Sequence, residues 1–448
     1  MDFPDFSDYG PGMAPAPPKI DDPRLARLYQ GASLCVMCGF CVPHCPTYAQ
    51  SLDEAESPRG RITLMKGLAT GDLPLDDAGL AHLDHCLGCR ACEFVCPSRV
   101  PYGQLIDTVR EVTEPQRPTT LAQRKARQLA FATVASRRRL RSAMALLRLY
   151  QRSGVQRAVR GSGVLRLLDL ERLESQLPKL PPAPRWQPVY PARGTQRGAV
   201  ALFTGCLSET FDRTALEAVI QVLTTTGFAV HVSDQQQCCG ALHQHNGEPH
   251  EALRLARANL DAFAALPEPV DAIIDIVSGC GAQLHDYAGL DWPDEADRAR
   301  AAAFSAQVRD ISRFLVESEA LKGHTLRPLD GAVAIHDPCS LTWVLREPHF
   351  PHQLLRAIPG IELAPLPNNA HCCGAGGAHL LTHPEQAARL RASKLEPLMA
   401  QPPAWLATSN TGCALHLAAG LREAGLPTEV VHPITLIARQ LESRTESP

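Results

Sequence analysis

The sequence predicts an α+β protein of several domains: a helical, cysteine-rich N-terminal domain, then two duplicated α/β domains with parallel sheets. Three observations predict it. Two cysteine runs lie in the first hundred of 448 residues, a second cysteine pattern occurs twice in the C-terminal half, and strand-like and helix-like segments alternate through that repeat. Apolar residues make up 45% of the chain and charged residues 20%, which is ordinary for a globular protein of two or three domains.

The two N-terminal cysteine runs, at residues 35–46 and 86–97, share the spacing C-x2-C-x2-C-x3-C-P. This spacing holds [4Fe–4S] clusters in bacterial-type ferredoxins, where the fourth cysteine of each run binds the other cluster. Zinc is a weaker interpretation because it usually takes two C-x2-C pairs. Disulfides are disfavoured because no signal peptide precedes the runs. We therefore predict one [4Fe–4S] cluster on Cys35, Cys38, Cys41 and Cys96, and another on Cys86, Cys89, Cys92 and Cys45.

The segments around these runs define a ferredoxin-type domain over residues 21–115. Residues 1–20 carry Pro, Gly and Asp without periodicity and are expected to form a loose tail. Residues 22–30 are predicted to be a short helix, and residues 57–65 a turn that leads into a helix. Arg59 and Arg61 in that turn could offset cluster charge, and a solvated helix start is an equal alternative.

A basic helical connector is expected over residues 116–176, followed by a Pro-rich linker over 177–197. Residues 115–168 are rich in arginine and contain no Asp or Glu, and Leu140, Met144, Leu147 and Tyr150 recur at helical spacing. The basic side chains could form a solvated face on helices that pack on the core. They could also contact an acidic partner subunit or an anionic membrane surface. Nucleic acid is not expected, because no recognised binding module accompanies the charge.

An internal repeat divides the rest of the chain into residues 198–330 and 331–448. Its landmarks are Gly-Ala-Val-Ala before a cysteine, Cys-Cys-Gly, and Gly-Cys, and each recurs 133 or 134 residues later. Each copy alternates strands and helices, which predicts βαβ units and a parallel sheet. The predicted strands are 199–203, 228–232, 270–277, 332–335, 361–365 and 405–408, with helices at 210–225 and 248–266 in the first copy.

Each copy contributes four cysteines that follow predicted strands. Because α/β folds place ligands at the carboxyl ends of their strands, the four thiols of one copy should meet there. They suggest an iron–sulfur or other metal site, and a redox dithiol, a zinc site and structural cysteines are weaker alternatives. The cysteines are Cys206, Cys238, Cys239 and Cys280, then Cys339, Cys372, Cys373 and Cys413, with His243, His245, His336, His371 and His416 nearby.

Over nearly its whole length the sequence resembles the iron–sulfur subunit of glycolate oxidase. The resemblance rests on the two ferredoxin motifs, the basic connector, the two CCG (cysteine-rich) domains, and stretches such as His-Asp-Pro-Cys at 336–339 and His-Cys-Cys-Gly at 371–374. It extends to subunits that serve D-lactate and anaerobic glycerol-3-phosphate dehydrogenases, and to heterodisulfide reductases. In the reductases each CCG copy ends in C-x-x-C. Gln283 and His416 occupy the last position here, which weakens the case for the reductases' five-thiol cluster.

The resemblance implies an electron-transfer subunit of a glycolate (2-hydroxy acid) dehydrogenase. An FAD-containing partner subunit would oxidise the substrate, and this chain would pass electrons through its clusters to an acceptor such as quinone. The alternatives are a thiol or heterodisulfide reductase that uses the CCG site, and the equivalent subunit for lactate or glycerol-3-phosphate. No G-x-G-x-x-G follows a predicted strand, so we expect no flavin on this chain. No acid/base pair stands out either, so we expect no catalytic residue and no activity of this chain alone. No apolar run approaches 18 residues, so the expected location is cytoplasmic, with peripheral contact to the inner face of the membrane as a further option.

Overall fold

The computed structural model describes residues 18–442 except 75, 118, 168–173, 175–177, 179, 184 and 365. Most of the predicted N-terminal tail, residues 1–17, therefore lies outside the described residues, as do parts of the predicted connector and linker. The described chain is rich in helices and has two sheets of mainly parallel strands, so the predicted fold class is confirmed.

The N-terminal part is helical and packs around a small apolar core. That core includes Leu28, Met65, Leu105 and Val109, which are fully or almost fully buried. Helix Pro58–Thr70 begins as its sequence predicts, because the Ser57 side chain accepts a hydrogen bond from the Gly60 amide and proline occupies the first position. The helices here are Pro23–Ser33, Pro46–Ser51, Pro58–Thr70, Asp77–Asp84, Ala91–Phe94 and Tyr102–Thr113, with 3-10 turns Val42–His44, Glu54–Glu56 and Glu114–Gln116.

The basic connector is helical, and several of its arginines are bound within the chain. Arg137 and Arg141 both form ion pairs with Glu209, and Arg127 forms ion pairs with Glu114 and Glu248. These arginines therefore fix the connector to the neighbouring domains. The described helices are Leu121–Ala135, Arg137–Arg152, Val155–Ser162 and Val164–Leu167.

The repeat folds into two sheets with the same strand order. We number the strands β1 (Val189–Tyr190), β2 (Gly198–Leu202), β3 (Phe228–His231), β4 (Ala272–Asp275), β5 (Val308–Asp310), β6 (Ala332–His336), β7 (Glu362–Ala364), β8 (Trp405–Thr408) and β9 (Glu429–Val431). The orders are β1-β3-β2-β4-β5 and β7-β6-β8-β9, and among these described strands only β1 is antiparallel to its neighbour. The structural repeat thus matches the sequence repeat strand for strand, apart from β1.

The helices of the repeat cover both sheets, and the two copies share an apolar core that includes Val200, Leu216, Val333 and Ile434. The first copy contains Leu207–Phe211, Arg213–Thr225, Ala241–Gln244, Pro249–Ala264, Ser278–Asp286, Glu295–Gln307 and Ile311–Glu317. The second contains the π-helix Ser340–Leu345 and helices His349–Leu355, His379–Thr382, Pro384–Leu395, Thr411–Glu423 and Pro433–Gln440; 3-10 turns are Tyr287–Gly289 and Glu396–Leu398.

The structure corrects several predicted boundaries. The single helix expected at 210–225 is two helices, because Asp212 between them leaves helical geometry with φ −126° and ψ 41°. The predicted strands do not include β1, β5 and β9; strands of two or three residues leave a short pattern that is easily missed. Among the described residues, no helix combines the length and apolar character needed to cross a bilayer.

Candidate iron–sulfur and cysteine-rich sites

The first cysteine run meets the last cysteine of the second run. Cys35, Cys38, Cys41 and Cys96 line one cavity, together with Cys92. Burial raises the pKa of the Cys41 thiol to about 11, and the negative charges of Cys35, Cys96 and Cys38 add to the effect. The four cysteine side chains predicted to hold one cluster therefore lie close together.

The second run meets the last cysteine of the first run in a separate cavity. Cys45, Cys86, Cys89 and Cys92 line it. Burial raises the pKa of Cys92 well above its usual value, and the nearby charges of Cys89, Cys86 and Cys45 raise it further. Four thiols that share a small cavity stay protonated unless a cation neutralises them, so this donor set fits a metal cluster.

A buried arginine lies beside the second group. Arg61 is 1% exposed, and its Nη1 lies 3.8 Å from Cys45 Sγ. Its Nη2 donates to Glu56 Oε2 at 2.5 Å and its Nε to the His82 carbonyl at 2.6 Å. The other Glu56 oxygen lies 2.7 Å from both His82 Nδ1 and His85 Nδ1. Arg61 thus brings a positive charge to the cluster cavity from inside the protein, whereas Arg59 pairs with Glu54 near the surface.

The four cysteines of the first CCG copy lie in contact. Cys206 Sγ is 3.4 Å from Cys238 Sγ, and Cys239 Sγ is 3.4 Å from Cys280 Sγ. Side-chain contact between Cys238 and Cys239 joins the two pairs. The chain reaches this geometry through the glycine that follows the cysteine pair.

The glycine after each cysteine pair has a left-handed backbone. Gly240 has φ +90° and Gly374 has φ +92°. A Cβ on Gly374 would lie 2.6 Å from the Ala387 carbonyl oxygen, on the neighbouring helix. Only glycine fits both the φ angle and this approach, so the third residue of the Cys-Cys-Gly motif aims the pair into the site.

The second CCG copy brings its four thiols together as well, and adds two buried basic side chains. Cys339 contacts Cys372, Cys372 contacts Cys373, and Cys373 contacts Cys413. One ligand atom of His336 lies within 4.8 Å of the Cys373 and Cys413 sulfurs, which are within the same distance of each other. Burial lowers the pKa of His336 to about 3.

Lys394 is the second buried basic group of this copy. It is 1% exposed and its Nζ donates to the Asn368 carbonyl oxygen at 2.5 Å. Burial lowers its pKa, while the charges of the four cysteines oppose that shift. Sequence reasoning missed Lys394. Comparing the copies could have found it, because Leu260 lies 134 residues earlier, in the corresponding helix of the first copy.

Two of the other predicted histidines, His416 and His245, have hydrogen-bond partners outside the cysteine sites. His416 Nε2 lies 3.1 Å from the Ala387 carbonyl oxygen, and His245 Nδ1 lies 3.0 Å from Asp107 Oδ1. The His243 ring stands edge-on to Phe131 near Cys238, and its Nδ1 is buried and makes no hydrogen bond to the described residues. Gln283 is buried, and its Nε2 makes no hydrogen bond to the described residues.

The second cluster cavity adjoins the second CCG site. Cys89 and Cys339 both pack against the buried residues Leu87, Cys372 and Leu390, and the charge of Cys339 raises the pKa of Cys89 after the larger effect of burial. Nearby, the Phe94 and Trp343 rings lie 5.0 Å apart. The second cluster group and the second CCG site therefore share one apolar contact.

The two CCG sites adjoin each other at the carboxyl ends of their sheets. Ser278 Oγ lies 2.8 Å from Ser340 Oγ, and the Ser278 amide donates to the Ser409 carbonyl at 2.9 Å. Ser278 is two residues from Cys280, and Ser340 follows Cys339. The four cysteine groups therefore lie in series through the protein. The first cluster group is followed by the second cluster group, then the second CCG site and then the first CCG site.

The chain is similar to known proteins over this whole arrangement. Residues 31–100 match the 4Fe-4S dicluster domain, 122–177 the glycolate oxidase iron–sulfur subunit linker region, and 200–285 and 333–418 the cysteine-rich domain. The chain is 38% identical to the probable glycolate oxidase iron–sulfur subunit of Bacillus subtilis, over 95% of this chain and 98% of the relative. It is 33% identical to the glycolate oxidase iron–sulfur subunit of Escherichia coli, over 91% of this chain and 94% of the relative. Lactate utilization protein A of Macrococcus caseolyticus is 25% identical, over 55% of this chain and 98% of the relative.

Proposed function

Because the chain belongs to the family of glycolate oxidase iron–sulfur subunits, we propose that it is the electron-transfer subunit of a flavin-dependent glycolate dehydrogenase complex. A partner flavoprotein oxidises the hydroxy acid, and this chain carries the electrons to an acceptor such as quinone. When bound, [4Fe–4S] clusters supply one-electron redox steps. The observation that carries the proposal is the grouping of eight thiols from two crossed runs into two adjoining cavities.

The residues of this chain contribute positioning and charge. The crossed runs group their thiols, buried apolar side chains such as Leu87 exclude water between neighbouring groups, and Arg61 offsets negative charge. We assign Cys35, Cys38, Cys41 and Cys96 to one cluster, Cys86, Cys89, Cys92 and Cys45 to the other, and the two sets of CCG cysteines to further centres. We also propose the domain boundaries given by the sequence.

An exposed apolar rim around Cys38 supports a contact with a redox partner at the first cluster. Cys38 itself is exposed, and Val36, Met37 and Phe40 beside it are 69%, 49% and 67% exposed. Exposed apolar patches commonly mark protein interfaces. We therefore propose that a protein partner of the complex covers this loop.

Glycolate is favoured over lactate because the relatives with glycolate oxidase in their names cover more than nine tenths of this chain, whereas lactate utilization protein A covers 55%. A thiol or heterodisulfide reductase remains the second candidate from the sequence. No observation on the CCG sites favours it, since the last thiol of the reductase pattern is Gln283 or His416 here.

The test is anaerobic co-purification with the flavoprotein partner, followed by addition of glycolate. Bleaching of the cluster absorbance should follow flavin reduction, and D-lactate should act more slowly. Cys89→Ser should interrupt this reduction, while Ser51→Ala, at a surface hydroxyl, is the matched control. Reduced flavin together with clusters that stay oxidised in the wild-type complex would contradict the proposal.

A further inference from the structure

The second CCG site contains a histidine that the first CCG site lacks. His336 is the last residue of β6 and is 1% exposed. The residue 133 positions earlier, directly after β2, is Phe203. The same offset relates Cys339 to Cys206, so the two positions correspond. A phenylalanine ring fills space but offers no lone pair, so the copies differ in the ligands that they can provide.

One nitrogen of the His336 ring is fixed and the other is free. Nδ1 lies 2.9 Å from Thr408 Oγ1, at the end of the adjacent strand β8. Nε2 is buried and makes no hydrogen bond to any described residue. Buried polar atoms are nearly always paired, so an unpaired one needs an explanation. Metal-binding histidines commonly hydrogen-bond through the nitrogen that does not bind the metal, and that bond orients the ring.

The distances suit a shared metal centre. The ligand atoms of His336, Cys373 and Cys413 all lie within 4.8 Å of one another, and all three residues are buried. Two ligands that bind one metal ion at about 2.3 Å lie up to ~4.6 Å apart, so these groups are already close to the separation that a shared metal requires. His416, which occupies the place of the missing last thiol in the sequence, instead bonds to the Ala387 carbonyl oxygen.

We propose that His336 Nε2 is an iron ligand of an iron–sulfur centre at the second CCG site, beside Cys339, Cys372, Cys373 and Cys413. The proposal deepens the proposed function, because it rests on that site holding an iron–sulfur centre. Histidine in place of thiolate raises the reduction potential of a cluster. The second CCG centre should therefore have a higher potential than an all-thiolate version of the same site.

The experiment uses the full chain, prepared anaerobically with its partner and labelled with 15N-histidine. Pulsed EPR of the partly reduced protein should show nitrogen coupling that changes with the isotope. Because buried His243 lies near Cys238 of the first CCG site and its Nδ1 makes no hydrogen bond to the described residues, the coupling is assigned to the second CCG site by its loss in His336→Cys and its retention in His243→Gln. Iron, sulfide and zinc analysis accompanies each sample.

Three variants separate ligation from packing. His336→Phe should abolish the nitrogen coupling, and His336→Cys should abolish it while retaining wild-type iron content and lowering the potential of that centre. His416→Gln is the matched control and should keep the coupling. Because His336→Cys supplies a thiolate, it tests the proposal even where His336→Phe fails to fold.

Several results would overturn the proposal. These are coupling that survives in His336→Cys, coupling lost only in His416→Gln, a wild-type protein with second-site iron but no histidine coupling, and zinc or no metal at the second site. Failure of the proposed function would appear differently, as N-terminal clusters that glycolate and the flavoprotein do not reduce in the wild-type complex.

Discussion

Replacing Arg61 by Met should both destabilise the protein and lower the potential of the neighbouring cluster. Methionine keeps an unbranched apolar stem but removes the charge that lies 3.8 Å from Cys45 Sγ and the donors to Glu56 and His82. Breaking a buried ion pair by removing one partner costs about 3–5 kcal/mol. Since Glu56 retains its contacts to His82 and His85, we expect about 3 kcal/mol, at the lower end.

The redox effect can be bounded by Coulomb's law. Two unit charges 3.8 Å apart, as Arg61 Nη1 and Cys45 Sγ are, interact by about 4 kcal/mol at an effective dielectric constant of ~20. Cluster charge is spread over more atoms and Glu56 opposes Arg61, so we expect roughly a quarter to a half of that bound, about 1–2 kcal/mol. At 2.3 kcal/mol per 100 mV, this is a decrease of about 40–90 mV.

The assays are chemical unfolding and an anaerobic redox titration followed by EPR. Glu56→Gln is the sharpest companion variant, because it should destabilise the protein as well but raise the potential, having removed a negative charge. Arg254→Met is the matched surface control, since Arg254 pairs with Glu251 on an exposed helix face where water screens its charge. An intact cluster with an unchanged potential in Arg61→Met, or a decrease in both Arg61→Met and Glu56→Gln, would refute this reasoning.

Three further predictions concern stability. Burial raises the pKa of Asp212 from 3.8 to about 6, so the stability that the protonated carboxyl contributes is fully present below pH ~4 and is lost as the pH rises through ~6. Asp212→Asn should therefore be more stable than wild type at pH 7–8, by up to about 3 kcal/mol, and the difference should fade at pH 4. If wild type and Asp212→Asn showed the same dependence of unfolding free energy on pH, this prediction would be wrong. Gly374→Ala should cost about 1–3 kcal/mol, because φ is +92° and the new Cβ would meet a carbonyl oxygen of the next helix; an unchanged melting temperature would show that the loop can shift. Arg137→Gln should cost about 1–3 kcal/mol by removing a charged partner of buried Glu209, whereas exposed Arg138→Gln should leave the melting temperature unchanged; equal effects of the two would show that the ion pair does not fix the connector.

The sequence determined much of the chemistry, because cysteine spacing is local. Three cysteines two residues apart define one loop, and the paired runs imply [4Fe–4S] clusters before any fold is known. The duplication was equally visible, because its landmarks recur at a nearly constant offset. Alternating strand and helix patterns then implied two parallel sheets, and the structure confirms that class.

The tertiary structure decided which side chains outside the motifs surround the cysteines. Lys394 lies in a helix, and nothing local distinguishes it from an ordinary surface or core residue. The sequence places His336 three residues before Cys339 but cannot show that its ring lies beside Cys373 and Cys413. The closeness of Lys394 and His336 to Cys373 depends on how β6 and the helix Pro384–Leu395 pack together. The basic connector shows the same limit, because the sequence counts charges but cannot show that Arg137 meets Glu209, 72 residues away. Spacing along the chain determines local geometry, whereas contacts between distant residues depend on packing that no single segment contains.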